Sequence, residues 1–125
     1  MILFTYGTLK QGFWNHHLLG NSIYLGKGIT YEKYALYNYS YPFAVHEEIE
    51  DKHPVLPVLG ELYTITREVL DEVDHLEIQY ERKSRPIISE TRGMVTAFVY
   101  EYMASEPYGF KLLCDTNNGA YEWKG

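Results

Sequence analysis

Phe4-Thr5-Tyr6-Gly7-Thr8-Leu9-Lys10-Gln11-Gly12 joins an apolar strand, expected over residues 2–6, to a loop bounded by two glycines. The next segment, Phe13 to Leu19, reads as a short helix ended by Gly20-Asn21. A strand, a glycine loop and a helix in that order aim backbone N–H groups at a ligand's negative oxygen. Many strands end in glycine, so the loop acquires meaning only if the chain also supplies an acid–base residue for it to serve.

The whole chain sets the bounds. Its 125 residues suit one domain, 1–125, with a core over about 2–103 and a C-terminal tail over 104–125. A hydrophobic fraction of 46% is that of a globular protein. A formal charge of −6 argues against nucleic acid as a partner, since phosphate recognition needs clustered Lys and Arg. The single cysteine, Cys114, rules out an intrachain disulfide and suits a reducing compartment. No apolar run approaches the roughly 20 residues of a membrane span, and the start lacks a basic region with a cleavage site. The expectation is a cytoplasmic domain with no membrane partner. Thirteen tyrosines suit a β-rich fold with a wet cleft, or strand propensity alone.

Outward from the loop, Ser22 to Leu25 followed by Gly26-Lys27-Gly28 predicts a strand broken by a turn or bulge. Tyr37, Tyr39 and Tyr41 alternate with the period of a strand that Pro42 interrupts and that Phe43 to Val45 resumes. Glu47 to Pro57 is polar and reads as a surface loop. Val58 to Ile65 is a strand whose Gly60 marks a bend or a close backbone approach. Thr66 to Leu76 is the best helix: Thr66 can cap it, Glu68 lies in its first turn, and Val69, Leu70, Val73 and Leu76 form one stripe. Tyr80 to Ser89 and Met94 to Met103 form a hairpin across Glu90-Thr91-Arg92-Gly93. Strands around one or two helices, without regular βαβ alternation, predict an α+β domain on a curled or barrel-like sheet.

Glu77 answers the opening question. It follows Leu76 where the helix must stop, at the negative end of the helix dipole, and burial beside Leu76 and Ile78 would raise its pKa further. It is either a general acid–base or a solvated surface acid. Tyr80 and Arg82, on one strand face by alternation, either flank Glu77 or are an ordinary aromatic and a surface charge. The histidines (His16, His17, His46, His53, His75) lack zinc spacing, and His46-Glu47-Glu48 lacks the second histidine of a zincin helix. Cys114 reads as a buried or incidental thiol. The glycines around Gly7 lack the Lys-Ser/Thr ending of a Walker loop.

These residues carry a resemblance. Tyr6-Gly7-Thr8-Leu9, then Gly12 and Asn15-His16-His17-Leu18-Leu19, resembles the opening of the γ-glutamylcyclotransferase-like (AIG2-like) family. Tyr41-Pro42, Gly60-Glu61-Leu62-Tyr63, Leu70 to Glu77 with Tyr80-Glu81-Arg82, and Ala97-Phe98-Val99-Tyr100 resemble its later motifs, in the family's order over residues 2 to about 102. The resemblance implies a small mixed β-barrel with flanking helices. It implies a cavity in which Tyr6, Gly7, Thr8 and Leu9, with Tyr41, Pro42, Tyr80 and Arg82, bind a γ-glutamyl substrate, and in which Glu77 is catalytic. The implied reaction closes 5-oxoproline and releases an amine without a cofactor or metal. A binding module that keeps the cavity but not the chemistry is the alternative.

Overall fold

In the computed structural model, which describes residues 1–109 and 112–125, the opening strand β1 (Ile2–Thr5) is the seam of a closed barrel. The other elements are β2 (Ile23–Thr30), β3 (Tyr34–Tyr37), β4 (Phe43–His46), β5 (Leu59–Thr64), helix α1 (Arg67–Leu76), β6 (Glu81–Ser89), β7 (Gly93–Glu101), β8 (Asp115–Asn117) and β9 (Ala120–Glu122). Barrel order is β1-β5-β2-β6-β7, with β1 antiparallel to β5 and closing in parallel on β7 at Leu3 and Phe98. The pairs β3–β4 and β8–β9 are separate antiparallel hairpins. The expected small mixed β-barrel is therefore present.

Alternation along the strands divides the core. Phe4, Leu62, Ile87, Ala97 and Val99 fall in one buried cluster. Their neighbours Leu3, Tyr63 and Tyr100 turn the other way and meet Leu70 and Val73 of α1. Gly60 makes the seam possible, because a Cβ there would lie 2.4 Å from the Thr5 carbonyl oxygen and 2.6 Å from Phe4 Cζ. The α1 stripe behaves as read, and Thr66 caps the helix by accepting from the Val69 N–H at 3.3 Å. The break anticipated at Gly26 is a bulge within one continuous β2.

Two local expectations are corrected. Phe13 to Leu19 is not an α-helix; only His16–Leu19 forms a 3₁₀ turn. A segment this short cannot offset helix nucleation on its own. Its aromatics serve elsewhere: Phe13 and Trp14 pack on Trp123, and His16 Nδ1 bonds the Leu9 carbonyl at 2.9 Å. Nor do Tyr37 to Tyr41 form a strand. β3 ends at Tyr37, which pairs with Phe43, and the segment between turns the hairpin. Pro42 has no N–H for a ladder, and Tyr39 is exposed.

The C-terminal segment joins the core. Ala120, Tyr121 and Trp123 are buried, and Lys10 Nζ donates to the Trp123 carbonyl at 2.7 Å, tying the tail to the loop after β1. Beneath β6 and β7, the fully buried Glu101 accepts two bonds from Arg85, at 2.8 and 2.9 Å, and one from the Tyr34 hydroxyl at 2.5 Å. Among the described residues no helix is long and apolar enough to cross a membrane.

Candidate active site

A cavity of about 330 Å³ opens between the loop after β1 and the end of α1. The loop contributes Tyr6, Gly7, Thr8 and Leu9; the β3–β4 turn contributes Tyr41 and Pro42; and the chain leaving α1 contributes Leu76, Glu77, Gln79 and Tyr80. Trp14, Asn15 and Tyr100 complete much of the wall. Among the described residues Glu77 is the only charged side chain in the lining.

The loop wall is a donor surface. Its carbonyls are engaged, the Gly7 oxygen by the Lys10 N–H at 3.0 Å and the Thr8 oxygen by the Asn15 N–H at 3.1 Å. The amides of Gly7, Thr8 and Leu9 bond no acceptor among the described residues. Asn15 Nδ2 donates to Thr8 Oγ1 at 2.9 Å, which leaves the threonine's own proton for another acceptor. Successive N–H groups of this kind suit a carboxylate or an oxyanion.

Gly7 is needed for a reason that sequence alone does not supply. A Cβ there would lie 2.8 and 2.9 Å from Cγ and Cδ of Pro42. The glycine thus lets the β3–β4 turn close on the loop. Gly7→Val is expected to displace Pro42 and to cost about 1–3 kcal/mol of stability in urea unfolding, the usual cost of overpacking. A folded Gly7→Val protein as stable as wild type would show that the β3–β4 turn yields without cost.

Glu77 is the C-cap of α1, with its N–H on the Val73 carbonyl at 2.8 Å. Its side chain has no hydrogen-bond or ion-pair partner among the described residues. Burial pushes the carboxyl up to about 7. The shielding comes from the cavity wall, including Tyr6 and Tyr80, and not from Ile78, which is 80% exposed. Both phenols are held. The Tyr6 hydroxyl donates to the Tyr100 carbonyl at 2.5 Å, and the Tyr80 hydroxyl donates to the Pro42 carbonyl at 2.7 Å.

Arg82 does not join this group. β6 begins at Glu81, so Tyr80 lies in the preceding turn and the two residues do not alternate on one strand. Arg82 instead pairs with Asp74 of α1 and covers the Phe98 ring at 4.8 Å. Sequence reading missed Trp14, Gln79 and Tyr100 as wall residues. Tyr100 carried the one available signal, its place as the last residue of Ala97-Phe98-Val99-Tyr100 in the last barrel strand.

Other reactive groups stand apart. The Cys114 thiol is buried and pushed up to about 12, which makes it a poor nucleophile. Potential ligand atoms of Glu32, His46 and Glu47 lie within 4.8 Å of one another. His46 Nδ1 accepts from the Glu48 N–H, so Nε2 carries the proton it gives to Glu32 at 2.8 Å. Arg85, 3.7 Å from the same Glu32 oxygen, further disfavours a cation there.

Comparison with known proteins identifies the family and the fold. The family model "Gamma-glutamyl cyclotransferase, AIG2-like" matches residues 3–122. A Methanocaldococcus jannaschii protein named "Putative gamma-glutamylcyclotransferase MJ1514" is 37% identical over 107 residues, spanning 82% of this chain and 85% of its own. A Vibrio cholerae protein named "Putative gamma-glutamylcyclotransferase" is 34% identical over 104 residues, 81% of each chain. The crystal structure of a mouse AIG2-like protein superposes with a TM-score of 0.71 over 98% of this chain and 95% of the other, at 22% identity, a likeness of fold. With nearly its whole length matched and the same barrel in place, the chain belongs to the gamma-glutamyl cyclotransferase, AIG2-like family.

Proposed function

We propose that this protein is a γ-glutamyl cyclotransferase, converting a γ-glutamyl amine or γ-glutamyl amino acid to 5-oxoproline and the free amine. The observation that carries the reading is one cavity of amino-acid size lined both by an unpartnered, high-pKa carboxyl, Glu77, and by a loop, Gly7 to Leu9, whose amides are uncommitted among the described residues.

The chemistry follows from these groups. The substrate's α-ammonium gives a proton to the Glu77 carboxylate. The freed amine attacks its own γ-carbonyl carbon, closing a five-membered ring and placing negative charge on the carbonyl oxygen. Loop N–H groups hold that oxyanion or the α-carboxylate. Glu77 returns the proton to the departing nitrogen, the C–N bond breaks, and the carbonyl re-forms; the ring nitrogen gives its second proton to the Glu77 carboxylate, which passes it to the released amine. Nucleophile and electrophile belong to one molecule, so the protein has only to fold the substrate and move two protons in turn. A carboxyl of pKa near 7 suits both directions of transfer.

The test is release of 5-oxoproline from a panel of γ-glutamyl amines and γ-glutamyl amino acids, by wild type and Glu77→Gln. The expectation is turnover of at least one class by wild type alone. Equal rates in the two proteins would remove Glu77 from the mechanism. Thermal stabilisation by 5-oxoproline without turnover of any substrate would favour a binding module.

A further inference from the structure

The Glu77 carboxyl has no partner among the described residues, so its place in the cavity is set by its main chain. That chain leaves α1 and turns at once: the Tyr80 N–H donates to the Glu77 carbonyl at 3.0 Å and closes a four-residue turn. Two side chains tie the turn down. The Tyr80 hydroxyl donates to the Pro42 carbonyl at 2.7 Å, and Gln79 Oε1 accepts from the Tyr108 hydroxyl at 3.1 Å. The Phe43 ring lies 5.7 Å from the Tyr80 ring and 5.7 Å from the Tyr108 ring. Tyr108 is not among the described residues that line the cavity; it comes from the chain that follows β7. Backbone φ there is +46° at Glu106 and +55° at Tyr108, a region costly for residues with a Cβ. Such strain persists only where surrounding contacts over-determine it. Here Ser105 Oγ donates to Glu50 at 2.9 Å, the Glu106 N–H donates to the Tyr37 hydroxyl at 3.3 Å, and His53 Nε2 lies 2.8 Å from Glu106 Oε1. The Gly109 N–H closes the bend on the Glu106 carbonyl at 2.8 Å.

We infer that Tyr108, acting through Gln79, is a positioning residue for Glu77: segment 105–109 braces the turn 77–80 and so fixes where the carboxyl stands in the cavity. For the role of Glu77 this rests on the cyclotransferase reading. The brace moves no proton. Without it the turn is tied by Tyr80 alone, and the carboxyl gains freedom to leave the line of transfer and to meet water. A general acid–base works only when held within reach of its proton, and a displacement of about 1 Å is enough to slow the reaction. The other titratable groups in the lining are phenols: Tyr6 of the loop, Tyr41 of the hairpin turn, Tyr80, and Tyr100 of β7. Asp74 of α1 is paired with Arg82. A change at Glu77 would therefore report its hydration, not the loss of an ion pair.

Tyr108→Phe keeps the ring beside Phe43 and deletes the bond. With glutamate γ-methylamide as substrate, kcat should fall about fivefold while KM changes less than about twofold, the size expected of one exposed hydrogen bond acting on the chemical step. The Glu77 carboxyl, followed by carbon-13 NMR across pH, should titrate with a midpoint that moves down from about 7 toward the ordinary value near about 4.3. The acid limb of kcat should move with it. Gln79→Leu should lower the midpoint too, and adding Tyr108→Phe to it should have no further effect, because both act on one bond. A segment that only supports the fold would lower the melting temperature and the active fraction without moving the Glu77 midpoint. That outcome overturns the brace, as do effects of the two substitutions that multiply, or a folded Tyr108→Phe protein with the kcat and midpoint of wild type. If wild type turns over no γ-glutamyl amide, the titration still decides. A midpoint that falls in Tyr108→Phe would then reject the cyclotransferase reading and leave the brace standing, and an unmoved midpoint would reject both.

Discussion

Glu77→Gln is expected to lower kcat/KM for 5-oxoproline formation by about 10²–10⁴-fold, the usual worth of a general acid–base, and to make the folded protein more stable at pH 8. The two effects share a cause. The carboxyl is pushed up to about 7 in the fold by desolvation, whereas an unfolded glutamate titrates near about 4.3. Below about pH 4 both states hold the proton and the burial of Glu77 carries no charge penalty. Between about pH 4 and the folded pKa the unfolded chain ionises first, so stability declines as pH rises. Above the folded pKa the penalty is complete, at up to about 4 kcal/mol. Glutamine removes the charge and keeps the shape. Denaturant unfolding should show a gain that approaches this amount at pH 8 and vanishes near pH 4. In the wild type the acid limb of kcat/KM should bend near pH 7, as Glu77 ionises to become the base. A Glu77→Gln protein that loses stability equally at both pH values would contradict the account of a desolvated carboxyl.

Arg85→Met should cost about 3–5 kcal/mol of stability, the range for breaking a buried pair on one side. Against a total of roughly 5–15 kcal/mol for a domain, this is a large share. Glu101 is fully buried, and Arg85 supplies its two charge-assisted bonds, leaving only Tyr34 if the guanidinium is removed. The cost is that of a stranded carboxylate, not of lost attraction alone. Arg85→Met with Glu101→Met should therefore recover most of the loss. Urea titrations of the single and double variants decide it: a single variant within about 1 kcal/mol of wild type would mean that Glu101 finds another partner or protonates without penalty.

What could be read from the sequence depended on how local the determining physics is. The α1 cap and stripe and the β6–β7 hairpin are set by residues a few positions apart, and both are present; the close approach at Gly60 is present too, legible from the glycine although its partners Thr5 and Phe4 lie far along the chain. The loop Tyr6 to Leu9, the Tyr41-Pro42 step, Glu77 and Tyr80 were named together, and they do share one cavity. Failures arose where distant partners decide the outcome. Phe13 and Trp14 leave a helical reading because Trp123, far along the chain, offers them a surface. Tyr41 leaves the strand period because the hairpin turn must meet Gly7. Arg82 follows Asp74 on α1 instead of Glu77. Of the two neighbours expected to bury Glu77, Leu76 lines the cavity while Ile78 is exposed; the shielding tyrosines come from the loop after β1 and the turn before β6. No pattern in the sequence ties the Tyr6 hydroxyl to the Tyr100 carbonyl, a contact that only barrel closure creates.

The central claim is that the nucleophile is the substrate's own amine, activated by Glu77. Turnover of a γ-glutamyl amide in ¹⁸O-labelled water tests it directly. The account predicts unlabelled 5-oxoproline and free amine in equal amounts, because no water oxygen enters the product. Glutamate carrying the label in its γ-carboxylate would show hydrolysis by water and contradict it.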